Sequence, residues 1–306
     1  MAARMARLSW LLVLFATAAL AAGEGRQVAI TIDDLPRGGD RGPSDLPGVR
    51  AMTDQLLRPF REQHIPVIGF VNAGRSQLDG PGLQQILNLW LEAGAQLGNH
   101  SYSHPDINSV ALDVYCDDII RGEAAIRQAL ARHDQKLEFY RHPFLHTGPT
   151  PEVKKALQDF LDQRGYRVAP VTLDNADYMY AVAYLQPQLR ARVRDEYVPY
   201  MESTVEFFER RSVEVFGREI PQILLIHASQ MNADLMSELL GMFRRRGYSF
   251  VTLSTALADP AYRSPDEYAG RNGFSWIHRW SKTKGMTPKG EPDPPEWVAK
   301  AFATPR

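Results

Sequence analysis

The chain has 306 residues, 44% of them apolar, with 35 basic against 36 acidic side chains and a net charge of -1. That balance excludes wholesale disorder and a general nucleic-acid binder, whose affinity needs clustered basic charge. One cysteine, Cys116, excludes an intramolecular disulfide and any multi-cysteine metal site, and the length admits one large domain or two small ones.

The chain opens MAARMARLSWLLVLFATAALAAGEG. Arg4 and Arg7 precede an almost purely apolar run of 15 residues, Leu8 to Ala22, which ends in the A-x-A site Ala19-Leu20-Ala21. This layout predicts a signal peptide over 1–21. The run is short for a span, which takes about 20 apolar residues, although an uncleaved anchor stays open. The mature protein is expected to be secreted, periplasmic in a Gram-negative source, with no stable membrane association after cleavage.

Strand and helix signals then alternate. QVAITI (27–32) reads as a strand, followed by a Gly/Pro/Asp-rich loop. Helical spacing over 50–63 places Met52, Leu56, Leu57 and Phe60 on one face, and PVIGFV (66–71) is strand-like. Pro81 opens a second helix with Leu83, Ile86, Leu87 and Trp90 on one side. AQLGN (95–99) is a short strand, and 111–132 is helical, with Cys116 as a packed thiol. KLEFYR (136–141), a helix from Pro151 to Arg164 and YRVAPVTL (166–173) follow. Residues 179–217 read as a helical insertion broken at Pro187 and Pro199. QILLIH (222–227) is a buried strand, 232–246 a helix and YSFVTL (248–253) a strand. The expected organisation is a domain over 22–260 and a C-terminal extension over 261–306, for which Trp276, Trp280 and Trp297 favour packing. Alternating strands and helices predict an α/β fold of parallel βαβ units, either an open doubly wound sheet or a (β/α) barrel.

Four polar clusters fall at strand ends, where a barrel builds its active face. Asp33 and Asp34 adjoin after the first strand, and two neighbouring carboxylates need a cation or strong donor beside them; alone, they also suit a solvated turn. His100 and His104, at i and i+4, could share a metal from one face of a helical turn, and imidazole suits zinc and related ions. Arg141-His142-Pro143-Phe144-Leu145-His146 offers a guanidinium for a carboxylate, a fixed turn whose N–H can face a substrate oxygen, and a further loop histidine. His227 ends a buried strand, placed for acid–base work or satisfied within the core.

Together these clusters resemble the polysaccharide deacetylases, the NodB-homology or carbohydrate esterase family 4. Its ordered motifs match TIDDLP, HSYSH, RHPF, VTLDNADY and LLIH between Val28 and Leu253. The resemblance implies a distorted (β/α) barrel of about seven parallel strands. It implies a metal triad of Asp34, His100 and His104, with Asp33 as general base oriented by Arg141. His227 would be the general acid, tuned by Asp174, and the Phe144 N–H after Pro143 the oxyanion donor; His146, read from its loop alone, is either an extra ligand or substrate contact or a structural loop histidine. The cofactor expected is a divalent cation, Zn2+ first, with Co2+, Ni2+ or Mn2+ as alternatives. The implied reaction removes N-acetyl or O-acetyl groups from a carbohydrate, hydrolysing a non-peptide C–N bond in a linear amide. Leu35 and Tyr178 depart from the family's usual glycine and tryptophan, which leaves the substrate open. The alternatives are a small-molecule amidohydrolase on the same fold and a non-catalytic secreted carbohydrate-binding protein. A metallophosphoesterase, suggested by Gly98-Asn99-His100, lacks its companion Asp-x-His and Gly-Asp-x-x-Asp motifs.

Overall fold

The computed structural model describes residues 25–304, so the expected signal peptide lies outside the described residues. No helix among the described residues is long and apolar enough to cross a membrane. The strands are β1 (Gln27–Leu35), β2 (Val67–Val71), β3 (Gln96–Asn99), β4 (Phe139–Tyr140), β5 (Arg167–Val168), β6 (Gln222–His227) and β7 (Ser249–Phe250). They form one parallel sheet in the order β5-β4-β3-β2-β1-β6, with β7 beside the start of β1. After β5 the chain crosses to the opposite edge, where Leu173 bridges Leu224 of β6 and curls the sheet towards closure. This is the distorted α/β barrel expected.

Three of the first four helices that cover the sheet begin at a side-chain cap. First come α1 (Leu46–Gln63), capped by Asp45, and α2 (Gly80–Glu92), capped by Asp79. Next come α3 (Leu112–Leu130) and α4 (Pro151–Gln163), the latter capped by Thr150. Each cap side chain accepts a backbone N–H that the first helical turn leaves free. Met52, Leu56, Leu57 and Phe60 of α1, and Ile86, Leu87 and Trp90 of α2, are all buried, as their spacing predicts.

Two sets of strand residues point opposite ways. Val28, Ile30 and Ile32 join the main core, together with helix side chains such as Leu56 and Trp90. Ala29 packs with Ile68, Phe70, Phe139 and Ile223 in a separate cluster, which includes Leu253 and Ala256 of a short helix α8 (Leu253–Leu257). Period-2 alternation assigns Thr31 and Asp33 to the same face as Ala29, the barrel interior. The interior is thus apolar below and polar at the carboxyl ends of the strands.

Several expected strands are shorter in the structure. β4 and β5 keep two residues each; in the run 166–173, Pro170 interrupts the strand and only its second part reaches β6. Residues 177–216, which take in most of the expected insertion, form α5 (Asp177–Tyr184) and α6 (Arg190–Phe216). The chain breaks near Pro187 as expected but not at Pro199, which lies inside α6. There Val193, Tyr197, Tyr200 and Met201 are buried, and their packing carries the helix past the missing N–H. α7 (Gln230–Arg245) follows β6. Within the expected extension over 261–306, α9 (Trp276–Thr283) packs through buried Ile277 and Trp280, then α10 (Glu296–Ala303) through Val298.

Candidate metal centre and active site

Asp33, Asp34, His100, His104, Phe144 and His227, from all four clusters, lie at or just beyond the carboxyl ends of strands and line one cavity of about 940 Å³. Asp33 and Asp34 finish β1, where Asp34 takes φ 63°. His100 directly follows β3, but residues 100–104 form a loop and not the helical turn expected. Ser101 (φ 67°) and His104 (φ 58°) both adopt left-handed backbone, and this reversal turns the two imidazoles towards each other, 4.8 Å between ring centroids.

α3 holds that loop. Asp118 accepts the Tyr102 N–H and the Ser103 N–H at 2.9 Å each and the Ser103 hydroxyl at 2.8 Å. Asn99 Oδ1 accepts the Ser101 N–H at 2.9 Å. Gly122 brings α3 against the loop so closely that a Cβ there would lie 2.9 Å from the Ser101 carbonyl carbon and 2.7 Å from Asn99 Oδ1. Gly122→Ala should therefore cost about 1–3 kcal/mol of stability by overpacking. Displacement of the histidine loop should weaken metal retention as well, read by thermal melting alongside zinc titration. Unchanged melting and unchanged affinity would contradict this packing account.

Asp34 Oδ1 is buried without a hydrogen-bond partner, 3.8 Å from both His100 Nε2 and His104 Nε2. The three ligand atoms all lie within 4.8 Å of one another. Tetrahedral zinc with bonds of about 2.0–2.1 Å places neighbouring ligand atoms roughly 3.4 Å apart, so the side chains fit a cation after small rotations. His100 Nδ1 donates to the Arg141 carbonyl at 2.8 Å, which leaves the Nε2 lone pair facing the centre. Burial pushes the His100 pKa well below its ordinary value, with His104 adding to the shift. The neutral, ligating imidazole is the stable form.

Asp33 sits beside this centre, its Oδ2 3.7 Å from His100 Nε2. Burial raises its pKa to about 6, against the opposing pull of Arg141 and His227. Arg141 is fully buried; it donates to Thr31 Oγ1 at 2.8 Å, approaches Asp33 Oδ2 at 3.5 Å and lies over the Phe70 ring. The guanidinium thus stands in the polar upper layer of the barrel interior, where its charge opposes the effect of burial on the Asp33 carboxyl.

His227 ends β6 opposite Asp33, and their Cα atoms are register partners. The carboxylate that meets it is Asp177, not Asp174. Asp177 Oδ1 is 2.7 Å from His227 Nδ1, while Asp177 Oδ2 accepts the His227 N–H and an Asn232 N–H at 2.8 Å each. Both aspartates belong to the stretch LDNADY, and spacing alone does not choose between them. The choice follows from α5, whose first residue, Asp177, faces the end of β6. Burial opposes the charge on His227, but Asp177 together with Asp34 and Asp33 outweighs it and raises the pKa to about 9. Asp174 lines the cavity instead, its carboxyl raised to about 7 by burial and by Glu291.

Pro143 starts a short turn in which Phe144 takes φ 56°, and the Phe144 ring stacks edge-on against His104 with 4.4 Å between centroids. His146 turns away to Asp106 and Asn108, at 2.8 Å from each, and is not one of the grouped ligands. Asp118, Asn99 and Asp177 are the functional supports that the sequence reading missed. A strand-end Asn and an Asp in the following helix were their available signals.

The polysaccharide deacetylase family model matches residues 21–168. Among solved structures, the chain resembles the polysaccharide deacetylase Bc1974 from Bacillus cereus at 16% identity, covering 74% of this chain and 91% of that one, with a TM-score of 0.53. It also resembles BA3943 of Bacillus anthracis, described as a CE4 family pseudoenzyme, at 15% identity over 76% and 65% of the two chains, TM-score 0.51. The T48 deacetylase, solved with substrate, matches at 18% identity over 82% and 97%, TM-score 0.50. These likenesses show a shared fold, and the chain spans about two thirds of the length of BA3943. No curated protein matches in sequence.

Proposed function

We propose that the chain, whose residues 21–168 match the polysaccharide deacetylase family model, is an exported, metal-dependent hydrolase that removes acetyl groups from a carbohydrate. The observation that carries this reading is the convergence of Asp34, His100 and His104 on one point, with Asp33 and His227 lining the same cavity. The bound cation, zinc by the chemistry of the donor set, would polarise the acetyl carbonyl and lower the pKa of water. Asp33 takes the proton from the attacking water, with Arg141 keeping its carboxyl ionised. The Phe144 N–H is the donor for the developing oxyanion; a donor of this kind is worth about 3–4 kcal/mol. His227, protonated at neutral pH, passes its proton to the leaving nitrogen, and Asp177 holds the ring in place. The catalytic reading is preferred to a non-catalytic one because ligands, base and acid are all present together. The apolar run before residue 22 supports export to a periplasm.

A metal-loaded acetate-release assay across N-acetylated and O-acetylated glycans tests the reading; no release from any of them would refute it. The rate should be bell-shaped in pH. Below about 6 Asp33 is protonated and cannot accept a proton, and above about 9 His227 has lost the proton it must give. Asp177→Asn should move the alkaline limb down by about 1–2 units, since an adjacent opposite charge shifts a buried group by that amount. Asp174→Asn should leave that limb close to its place. An alkaline limb that follows Asp174 and ignores Asp177 would contradict the pairing described here.

A further inference from the structure

The cavity that holds the metal ligands is bounded on one side by the C-terminal extension. Glu291, Pro292, Asp293, Pro294, Ala299 and Phe302 all line it. Tyr178 and Met179 of α5 and Tyr200 of α6 line the same cavity. This segment is tied down at several points around the cavity. Gly273 lies against the Phe144 carbonyl, where a Cβ would collide with it. His278 Nε2 and Glu291 Oε2 are 2.8 Å apart. The Phe302 ring meets the Tyr178 ring edge-on at 5.3 Å, and Tyr178 in turn faces His227 at 6.1 Å. Beyond that, Arg41 of the β1–α1 loop donates to the Phe302 and Thr304 carbonyls at 3.2 and 2.8 Å. The extension therefore runs from the Phe144 turn, past the acid His227, to the loop after the Asp33–Asp34 pair. Val298 and Ala301 bury its last helix, and Gln186 donates to the Ala301 carbonyl at 3.1 Å.

A long polymer bound by an internal sugar needs a groove open at both ends, and each further sugar it contacts adds affinity. Here one side of the cavity is stopped by a packed segment. Its volume of about 940 Å³ is at the upper end of the roughly 300–1,000 Å³ of small-molecule clefts and cavities. We propose that residues 291–302 act as a stop, so that the substrate is a short acetylated saccharide or the terminal sugar of a chain and not an internal sugar of a long polymer. This rests on the deacetylase reading above.

The test is acetate release by the zinc-loaded full chain from N-acetylglucosamine oligomers, monosaccharide to hexasaccharide, with muropeptides and acetylated xylo-oligosaccharides in parallel. Mass spectrometry locates the sugar that loses its acetyl group. From disaccharide to hexasaccharide, kcat/KM should change by less than about threefold, with an end sugar deacetylated first. The doubly substituted Arg41→Ala, Phe302→Ala protein, checked for an unchanged melting temperature, should gain activity on the hexasaccharide relative to the disaccharide and begin to act on internal sugars. Should the double substitution unfold the protein, Phe302→Ala alone gives the same comparison. A rise of about tenfold or more with length, with internal sugars deacetylated by the unaltered chain, would overturn the stop. So would a length profile that the substitutions leave unchanged. No release from any substrate would instead refute the deacetylase reading itself.

Discussion

His100→Ala is expected to remove metal and activity in a single step. His100 is buried, its Nδ1–H is fixed on the Arg141 carbonyl, and its free Nε2 is 3.8 Å from Asp34 Oδ1. Apparent binding free energies of protein-held zinc are about 10–16 kcal/mol, so losing one ligand of three forfeits several kcal/mol and weakens affinity on the order of a thousandfold or more. The fold should persist, because the loop is held by Asp118 and Asn99 and not by the imidazole. Zinc stoichiometry after dialysis and acetate release measured on the same sample check this. A metal-free His100→Ala protein with full activity would refute the assignment.

Asp33→Asn should separate chemistry from metal binding. Asp33 faces the barrel interior, where Arg141 approaches it, and it is not one of the three grouped ligands. The amide retains the shape but cannot take a proton, so the rate should fall by about 10²–10⁴, the usual worth of a positioned base. Zinc stoichiometry should stay near that of the unaltered chain. The acid limb of the pH profile, set by a carboxyl at about 6, should disappear from the residual activity. Loss of the metal together with the rate would mean that Asp33 is a ligand, and would redraw the site.

The order of strands and helices was legible because apolar spacing and caps agree along most of the chain. β1, α1, α2 and β6 stand where period and turn residues put them. The run 166–173 misleads because its apolar pattern continues through Pro170 while its pairing partner changes from β4 to β6. Pro199 misleads in the opposite sense, since tertiary packing of α6 overrides a local breaker. At the site, residue types and order along the chain revealed the groups that meet. They did not reveal how the groups meet. His100 and His104 converge through left-handed backbone at Ser101 and His104, which no helical spacing encodes. The partner of His227 depends on where α5 starts, and the stop at the cavity edge depends on residues about 60–75 positions beyond the last motif. Such long-range placements are made by packing, and local sequence carries little trace of them.

The most direct test of the central claim is the position of the cation, measured by anomalous scattering at the zinc edge from crystals of the zinc-loaded protein. A single peak about 2.0–2.2 Å from Asp34, His100 and His104, with Asp33 outside bonding distance, is the expected result. A peak elsewhere, or an Asp34 carboxyl that stays out of reach of both imidazoles in a metal-saturated crystal, would contradict it.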